Sequence, residues 1–308
     1  MTKMAILRTP ILILVALLVL VSGCARLPNI DRTLLKPKSF GELEGYLLNH
    51  RADLDLFRLL GPFSVATQNN YQLHLSPTEL IDADLYFSAH AEKAPLVIFL
   101  HGHGSSKESH TFQAMHVASW GLHSLALQLP SEGPWINNGK MLARIVNLIH
   151  RRAEGFDSRV DVSKIILVGH SFGGAAVAIA LAEGAKAAGG ILLDPAGVGR
   201  DLPNYLRRIR APLLLLGADE RVFTAIDRDF FFRFTRSGIS EVSIKGAAHE
   251  DAQFPAGFAL GTEELQITFA SAITAASFSL SLNRKFDYAW ASFDGDLRNG
   301  KLLNAKKK

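Results

Sequence analysis

The chain of 308 residues has one cysteine, Cys24, so no disulfide can form within it and its compartment must be read from targeting signals instead. Excess charge of one sign is nearly absent: 33 Lys and Arg stand against 29 Asp and Glu, and the lysines at 306–308 supply much of the +4. No basic stripe occurs elsewhere, which leaves nucleic-acid binding unsupported. The longest apolar run, residues 10–21, is too short for a comfortable membrane span. Internal repeats are missing, as is any Pro/Gly/Ser linker long enough to separate the chain into domains. What is present, 48% hydrophobic and 20% charged, fits one globular domain of α/β size with a large core.

Lys3 and Arg8 precede the apolar run and Val21-Ser22-Gly23-Cys24 follows it, the layout of an export signal. This tetrapeptide resembles the bacterial lipoprotein lipobox, in which the cysteine is acylated and becomes the first mature residue. The resemblance implies a leader over residues 1–23, a lipid anchor on Cys24 and a protein tethered to a membrane rather than spanning it. The alternative is an uncleaved anchor with an incidental cysteine. Ala25 stands where an aspartate would signal retention at the inner membrane. By analogy with Gram-negative lipoproteins, the expected location is the cell envelope, at the outer membrane facing the periplasm.

Residues 24–60 are expected to be a tether and N-terminal segment, with Pro28 and Pro37 favouring a stalk and a short helix at 42–60. Residues 61–285 alternate strand-like apolar runs with helical patterns, the order of an α/β domain whose mostly parallel central sheet carries helices on both faces. Strands are predicted at 63–67, 71–75, 82–88, 96–100, 124–129, 165–168, 190–193, 213–216 and 241–244. The clearest helices are predicted at 111–120, 140–152, 172–185, 224–235 and 263–282. Residues 286–308 are expected to form a C-terminal tail with solvated lysines.

In Gly169-His170-Ser171-Phe172-Gly173 a serine sits between an apolar strand and a helix. A sharp turn there strains the serine backbone, so the residues two before and two after must lack bulk. The turn lifts the hydroxyl above the carboxyl edge of the sheet, at a helix N-terminus able to bind an anion. A hydroxyl needs an aligned base, and the base needs a third group to hold it. His249, in a loop after the strand 241–244, has the required place in chain order. Two acids end preceding strands, Asp194 in "GGILLDPAG" and Asp219 in "PLLLLGADERV", and the residues alone leave both open. Two N–H donors for a developing oxyanion are expected from Phe172 and from His103, in a loop where Gly102 and Gly104 permit close backbone approach. In "DFFFRF", Ile226, Phe230 and Phe234 share a helical face suited to the core, leaving Phe231 and Phe232 as candidates for an acyl pocket or lipid contact. Trp135, on a loop at the carboxyl edge, is the better candidate for a pocket rim.

The segments "FLHGHGSSKE", "DVSKIILVGHSFGGAA", "ILLDPAG", "APLLLLGADE" and "IKGAAHEDAQ", in this order, resemble the α/β-hydrolase superfamily over residues 63–282. The likeness is greatest to its platelet-activating-factor acetylhydrolase, cutinase-like and chlorophyllase-like branches. The resemblance implies an α/β-hydrolase fold and a serine esterase or lipase that acts on lipid-like or short acyl esters without a cofactor or metal. In the acetylhydrolase branch the acid lies in a leucine-aspartate step after the strand that follows the serine turn, which is Asp194 here. In the cutinase-like branch it lies two places beyond the acid of a Gly-Ala-Asp triplet, and that slot holds Arg221. The resemblance thus favours Asp194, with Asp219 as the alternative. Two other classes compete: a metallohydrolase using His101 and His103, and a lipoprotein that keeps the fold but only binds or scaffolds. "GSSKESH" offers the first no aspartate-histidine pair.

Overall fold

Both faces of a parallel sheet are covered, so its strands are apolar at nearly every position, and the middle of this chain has that character. A computed structural model describes residues 37–50, 52–89, 93–152, 156–220, 225–255, 262–283 and 285–308. The leader 1–23 and Cys24 lie outside the described residues. The strands in chain order are β1 (Val65–His74), β2 (Leu80–Ser88), β3 (Ala94–Leu100), β4 (His123–Leu127), β5 (Val160–His170), β6 (Gly189–Leu193), β7 (Leu213–Ala218), β8 (Ile239–Ile244) and β9 (Leu302–Lys307). They form a single sheet in the order β1-β2-β4-β3-β5-β6-β7-β8-β9. The pairs from β4 through β8 are parallel, whereas β2 on β4, β1 on β2 and β9 on β8 are antiparallel.

The helices are α1 (Phe40–Asn49), α2 (Leu54–Phe57), α3 (Thr111–Ser119), α4 (Trp135–Arg151), α5 (Phe172–Ala182), α6 (Leu202–Leu206), α7 (Ala225–Phe234), α8 (Glu263–Ser281) and α9 (Asp287–Arg298). Alternation along β3 divides the core: Val97 and Phe99 pack with α1, α2, α3, α8 and α9, while Leu96, Ile98 and Leu100 pack with α4 to α7. The expected layout, a mostly parallel sheet with helices on both faces, is the observed one. No helix of the described residues is long and apolar enough to cross a membrane.

The ends of the chain depart from expectation. The expected tether at 24–36 lies outside the described residues; from residue 37 on, where one helix at 42–60 was expected, the described residues hold two helices built into the core. Ser39 caps α1 by accepting the Glu42 N–H at 3.2 Å, and Phe40, Leu43 and Leu47 are buried. The Phe40 ring stacks 5.7 Å from Phe278 on α8, and His116 on α3 donates Nε2–H to the Phe57 carbonyl at 2.8 Å. The expected tail 286–308 is α9 and the edge strand β9, whose lysines are pinned rather than simply solvated. Lys306 Nζ meets Asp229 at 2.8 Å and Glu241 at 2.9 Å, and Lys308 Nζ donates to the Thr235 carbonyl at 2.8 Å. Lysines on the exposed face of an outer strand discourage further strand pairing.

Three local readings are also corrected. The strands expected at 63–67 and 71–75 are one strand, β1, with an irregularity between Gln68 and Tyr71 where Asn70 takes φ +54° and donates its N–H to Asp84. On α7 the core residue is Phe231, fully buried, whereas Phe230 and Phe234 are half-buried and pack on each other, so Phe231 lines no acyl pocket. Phe232 lies beneath the Lys306 ammonium, 4.6 Å from it. Trp135 is buried in the first turn of α4 instead of standing on a loop.

Candidate active site

Strand β5 runs straight into α5, and Ser171 is the residue between them. Its backbone sits at φ 55°, ψ −125°, a conformation that L-residues adopt only when their surroundings enforce it. The enforcing contacts are the glycines. A methyl group on Gly173 would strike the Leu100 and His101 carbonyls, and one on Gly169 would strike Val177 and the Gly173 backbone. The serine N–H is tied to the Leu193 carbonyl at 3.0 Å, and the Ser171 carbonyl accepts from Ala196 at 3.1 Å. The side chain is thereby presented at the carboxyl edge of the sheet, beside the end of β6.

Asp194 follows β6 directly. It is fully buried, with its backbone at φ 39° and its N–H bound to the Leu216 carbonyl. Its Oδ2 lies 2.6 Å from Nδ1 of His249, and Oδ1 accepts the Ala218 N–H at 3.1 Å. His249 opens a 3₁₀ turn, His249–Ala252, after β8, and its side chain is 26% exposed, so the ring is buried against Asp194 yet reachable from solvent. Asp219 takes a different place. Its Oδ2 accepts the Gly246 N–H at 3.2 Å, and its own N–H joins that of Glu220 on the Ala247 carbonyl. Asp219 therefore shapes the loop that leads to His249 and does not touch the ring.

His170 locks the same loop from the other side. Its ring centroid is 4.4 Å from that of His249, and its Nε2 is 3.1 Å from the His249 carbonyl. A carbonyl can only accept, so Nε2 carries the proton and Nδ1 accepts from the Gln253 amide. Burial pushes His170 well below the ordinary imidazole range, which keeps this neutral tautomer.

The loop after β3 lies against the serine. A methyl group on Gly102 would come 3.0 Å from both Ser171 Cβ and His170 Nδ1, so the close approach is made there. Gly104 serves a different end: it takes φ +63° in open space and donates its N–H to Ser131. Among the described residues, neither the His103 nor the Phe172 N–H donates to a backbone carbonyl. The His103 imidazole points outward, 52% exposed and 3.4 Å from Glu132. His101 is buried, with Nδ1 2.8 Å from the Gly102 carbonyl and Nε2 2.9 Å from that of Leu129. The two histidines share no partner, and no group of three or more His, Cys, Asp or Glu side chains among the described residues is arranged to hold a metal ion.

Trp135 stacks 5.9 Å from Phe172 and meets His101 edge-on at 6.1 Å, giving the serine an aromatic flank. Lys107, 5% exposed, ties the stretch after this loop to the sheet. Its Nζ reaches Asp84 at 2.9 Å, Glu108 at 2.6 Å and Asn70 at 3.3 Å.

Sequence reasoning passed over two supports, Gln253 and Arg228. Arg228 lies three residues before the buried Phe231 on α7, and that spacing places an arginine on a buried helical face. No curated protein matches the chain. Residues 97–293 match the family model described as the alpha/beta hydrolase family, and the chain belongs to that family.

Proposed function

We propose that the protein is a serine hydrolase of carboxylic esters, with Ser171 as nucleophile, His249 as general base and Asp194 as the acid that orients it. The observation carrying this reading is the 2.6 Å contact between Asp194 Oδ2 and His249 Nδ1, beside a serine held at φ 55°. With Nδ1 committed to Asp194, Nε2 is the nitrogen that takes the Ser171 proton as Oγ attacks the acyl carbonyl. The Phe172 and His103 N–H groups receive the negative oxygen of the tetrahedral intermediate. Collapse expels the alcohol, which leaves with the proton from His249. Water, activated by the same imidazole, then frees the acid and restores Ser171. No step calls for a cofactor.

Lipid-like or short acyl esters are the favoured substrates, on the aromatic flank of Trp135 and Phe172 and on the likeness to acetylhydrolases and cutinases. A lipid anchor at Cys24, holding the protein on the periplasmic face of an outer membrane, belongs to the same proposal and rests on residues 21–24. Metabolic labelling with a fatty-acid analogue, lost in Cys24→Ser, tests the anchor. The activity is tested on the full chain in detergent with a fluorophosphonate probe and p-nitrophenyl esters of graded acyl length. Labelling and turnover that vanish in Ser171→Ala support the reading. A wild-type protein that neither labels nor turns over any ester refutes it and leaves a binding or scaffolding lipoprotein in its place.

A further inference from the structure

The two oxygens of Asp194 face different neighbours. Oδ2 meets His249, while Oδ1 ion-pairs with Nη1 of Arg228, and the same nitrogen donates to the Ala218 carbonyl at 2.7 Å. Arg228 is 3% exposed. Its Nε lies 3.5 Å from Oε1 of Glu241, itself 4% exposed, and Glu241 Oε2 lies 2.9 Å from Lys306 on β9. Room for the guanidinium comes from Gly217, where a methyl group would overlap it. Charges of alternating sign thus lead from Asp194, against His249, through Arg228 and Glu241 to Lys306 at the sheet edge.

Backbone N–H groups suffice to hold a carboxylate, so a full positive charge against the outer oxygen needs a reason. Resting on the triad reading above, we propose that Arg228 is a positioning residue that turns Oδ2 of Asp194 toward His249 and, balanced by Glu241, sets how strongly the pair holds a proton. Nη1 and the Ala218 N–H together hold Oδ1 in place, and the guanidinium brings a full positive charge against that oxygen. Its positive charge opposes proton uptake by the Asp194–His249 pair, and Glu241 partly cancels that opposition. Among the described residues, the other titratable groups near the pair are His170 on β5, Asp219 and Glu220 after β7, Asp227 on α7, and Glu250 and Asp251 beside His249. None of these is altered in the variants below.

The test is the pH profile of kcat/KM for p-nitrophenyl acetate in the full chain and in Arg228→Met, Arg228→Lys and Glu241→Gln. Removing the positive charge moves the acid limb of Arg228→Met up by about one pH unit. Glu241→Gln leaves the guanidinium less balanced and moves the limb down. Arg228→Lys keeps the charge without the fork, so its limb stays near wild type while kcat falls about tenfold. A merely structural role would not give opposite shifts. Coincident limbs in Arg228→Met and Glu241→Gln overturn the proposal, and if Arg228→Met fails to fold, the presence or absence of the downward shift in Glu241→Gln decides alone. An active wild type with unshifted variants defeats this inference only, whereas an inactive, unlabelled wild type defeats the triad reading beneath it.

Discussion

His170 donates its Nε2–H to the backbone carbonyl of His249 at 3.1 Å, so the residue beside Ser171 fixes the loop that carries His249. Replacing His170 by Phe removes this bond and strands the Gln253 amide that its Nδ1 now accepts. Leaving buried polar groups unpaired costs about 1–3 kcal/mol each. The variant should melt several degrees lower and lose about 10²-fold in kcat, with KM nearly unchanged, as His249 drifts. Denaturation curves and steady-state kinetics check this; unchanged turnover would deny His170 any role in placing the base.

The two aspartates should separate sharply in kinetics. Asp194→Asn is expected to lower ester turnover by about 10⁴-fold, because the amide favours the wrong imidazole tautomer. Asp219→Asn keeps an acceptor for the Gly246 N–H and should stay within a few-fold of wild type. If the Asp219 change abolished turnover and the Asp194 change did not, the assignment of the acid would be wrong.

Gly102→Ala puts a methyl group 3.0 Å from Ser171 Cβ, so the loop must move by a few tenths of an ångström. Loss of one oxyanion donor typically costs about 10²–10³ in kcat, and a partial displacement of the His103 N–H should cost about 10-fold to 10²-fold. The substitution touches the loop rather than the core, so the melting temperature should stay close to wild type. Equal activity in the variant would argue against this loop as the second donor.

Acid should unfold the protein. Burial lowers His110, His116 and His123 to about 4, and His170 lies well below the ordinary imidazole range. In the unfolded chain these imidazoles titrate near the ordinary value of about 6.5, so between the two values the unfolded state binds more protons. Stability is therefore complete above about pH 6.5 and drains as the pH falls toward 4. At pH 5 each of the first three gives up about 2 kcal/mol, together a large fraction of a typical domain stability of about 5–15 kcal/mol. Melting temperature against pH should be level from 8 to 7 and steep below 6.5; a flat curve down to 4.5 would contradict it.

Lys107→Met leaves Asp84 buried without its ammonium. Breaking a buried pair on one side costs about 3–5 kcal/mol. The midpoint in urea should fall accordingly, and Asp84→Asn with Lys107→Met together should be milder than Lys107→Met alone. A midpoint unchanged in Lys107→Met would mean that the pair is not formed in solution.

The parallel strands and the serine turn were legible because their signals are local. Val168 to Gly173 state in six residues that an apolar strand ends in a tight bend before a helix, and the bend lies where they put it. The choice between Asp194 and Asp219 was not local: each ends a strand, and only the return of the His249 loop over β6 distinguishes them. Arg228 was harder still, since its partners lie far apart in the chain, Asp194 just after β6 and Glu241 on β8. β9 was missed because an outer strand buries little: Leu302 is its one buried side chain, and its lysines read as solvated. The helix expected at 42–60 is instead the pair α1 and α2, because their apolar side chains belong to a core completed by Phe278, far along the chain.

The placement of Lys306 has a bearing on biosynthesis. Ribosomes deliver a chain from its N-terminus, so Ser171, Asp194, Arg228 and His249 all emerge before the lysine that balances Glu241. Until β9 emerges, β8 offers a bare outer edge, open to pairing with a neighbouring chain. Competence would then come late in translation, guarding the cell against a half-made hydrolase. A chain stopped after Gly300 should be prone to association and slow in turnover; one that stayed monomeric and fully active would show that the last strand is dispensable.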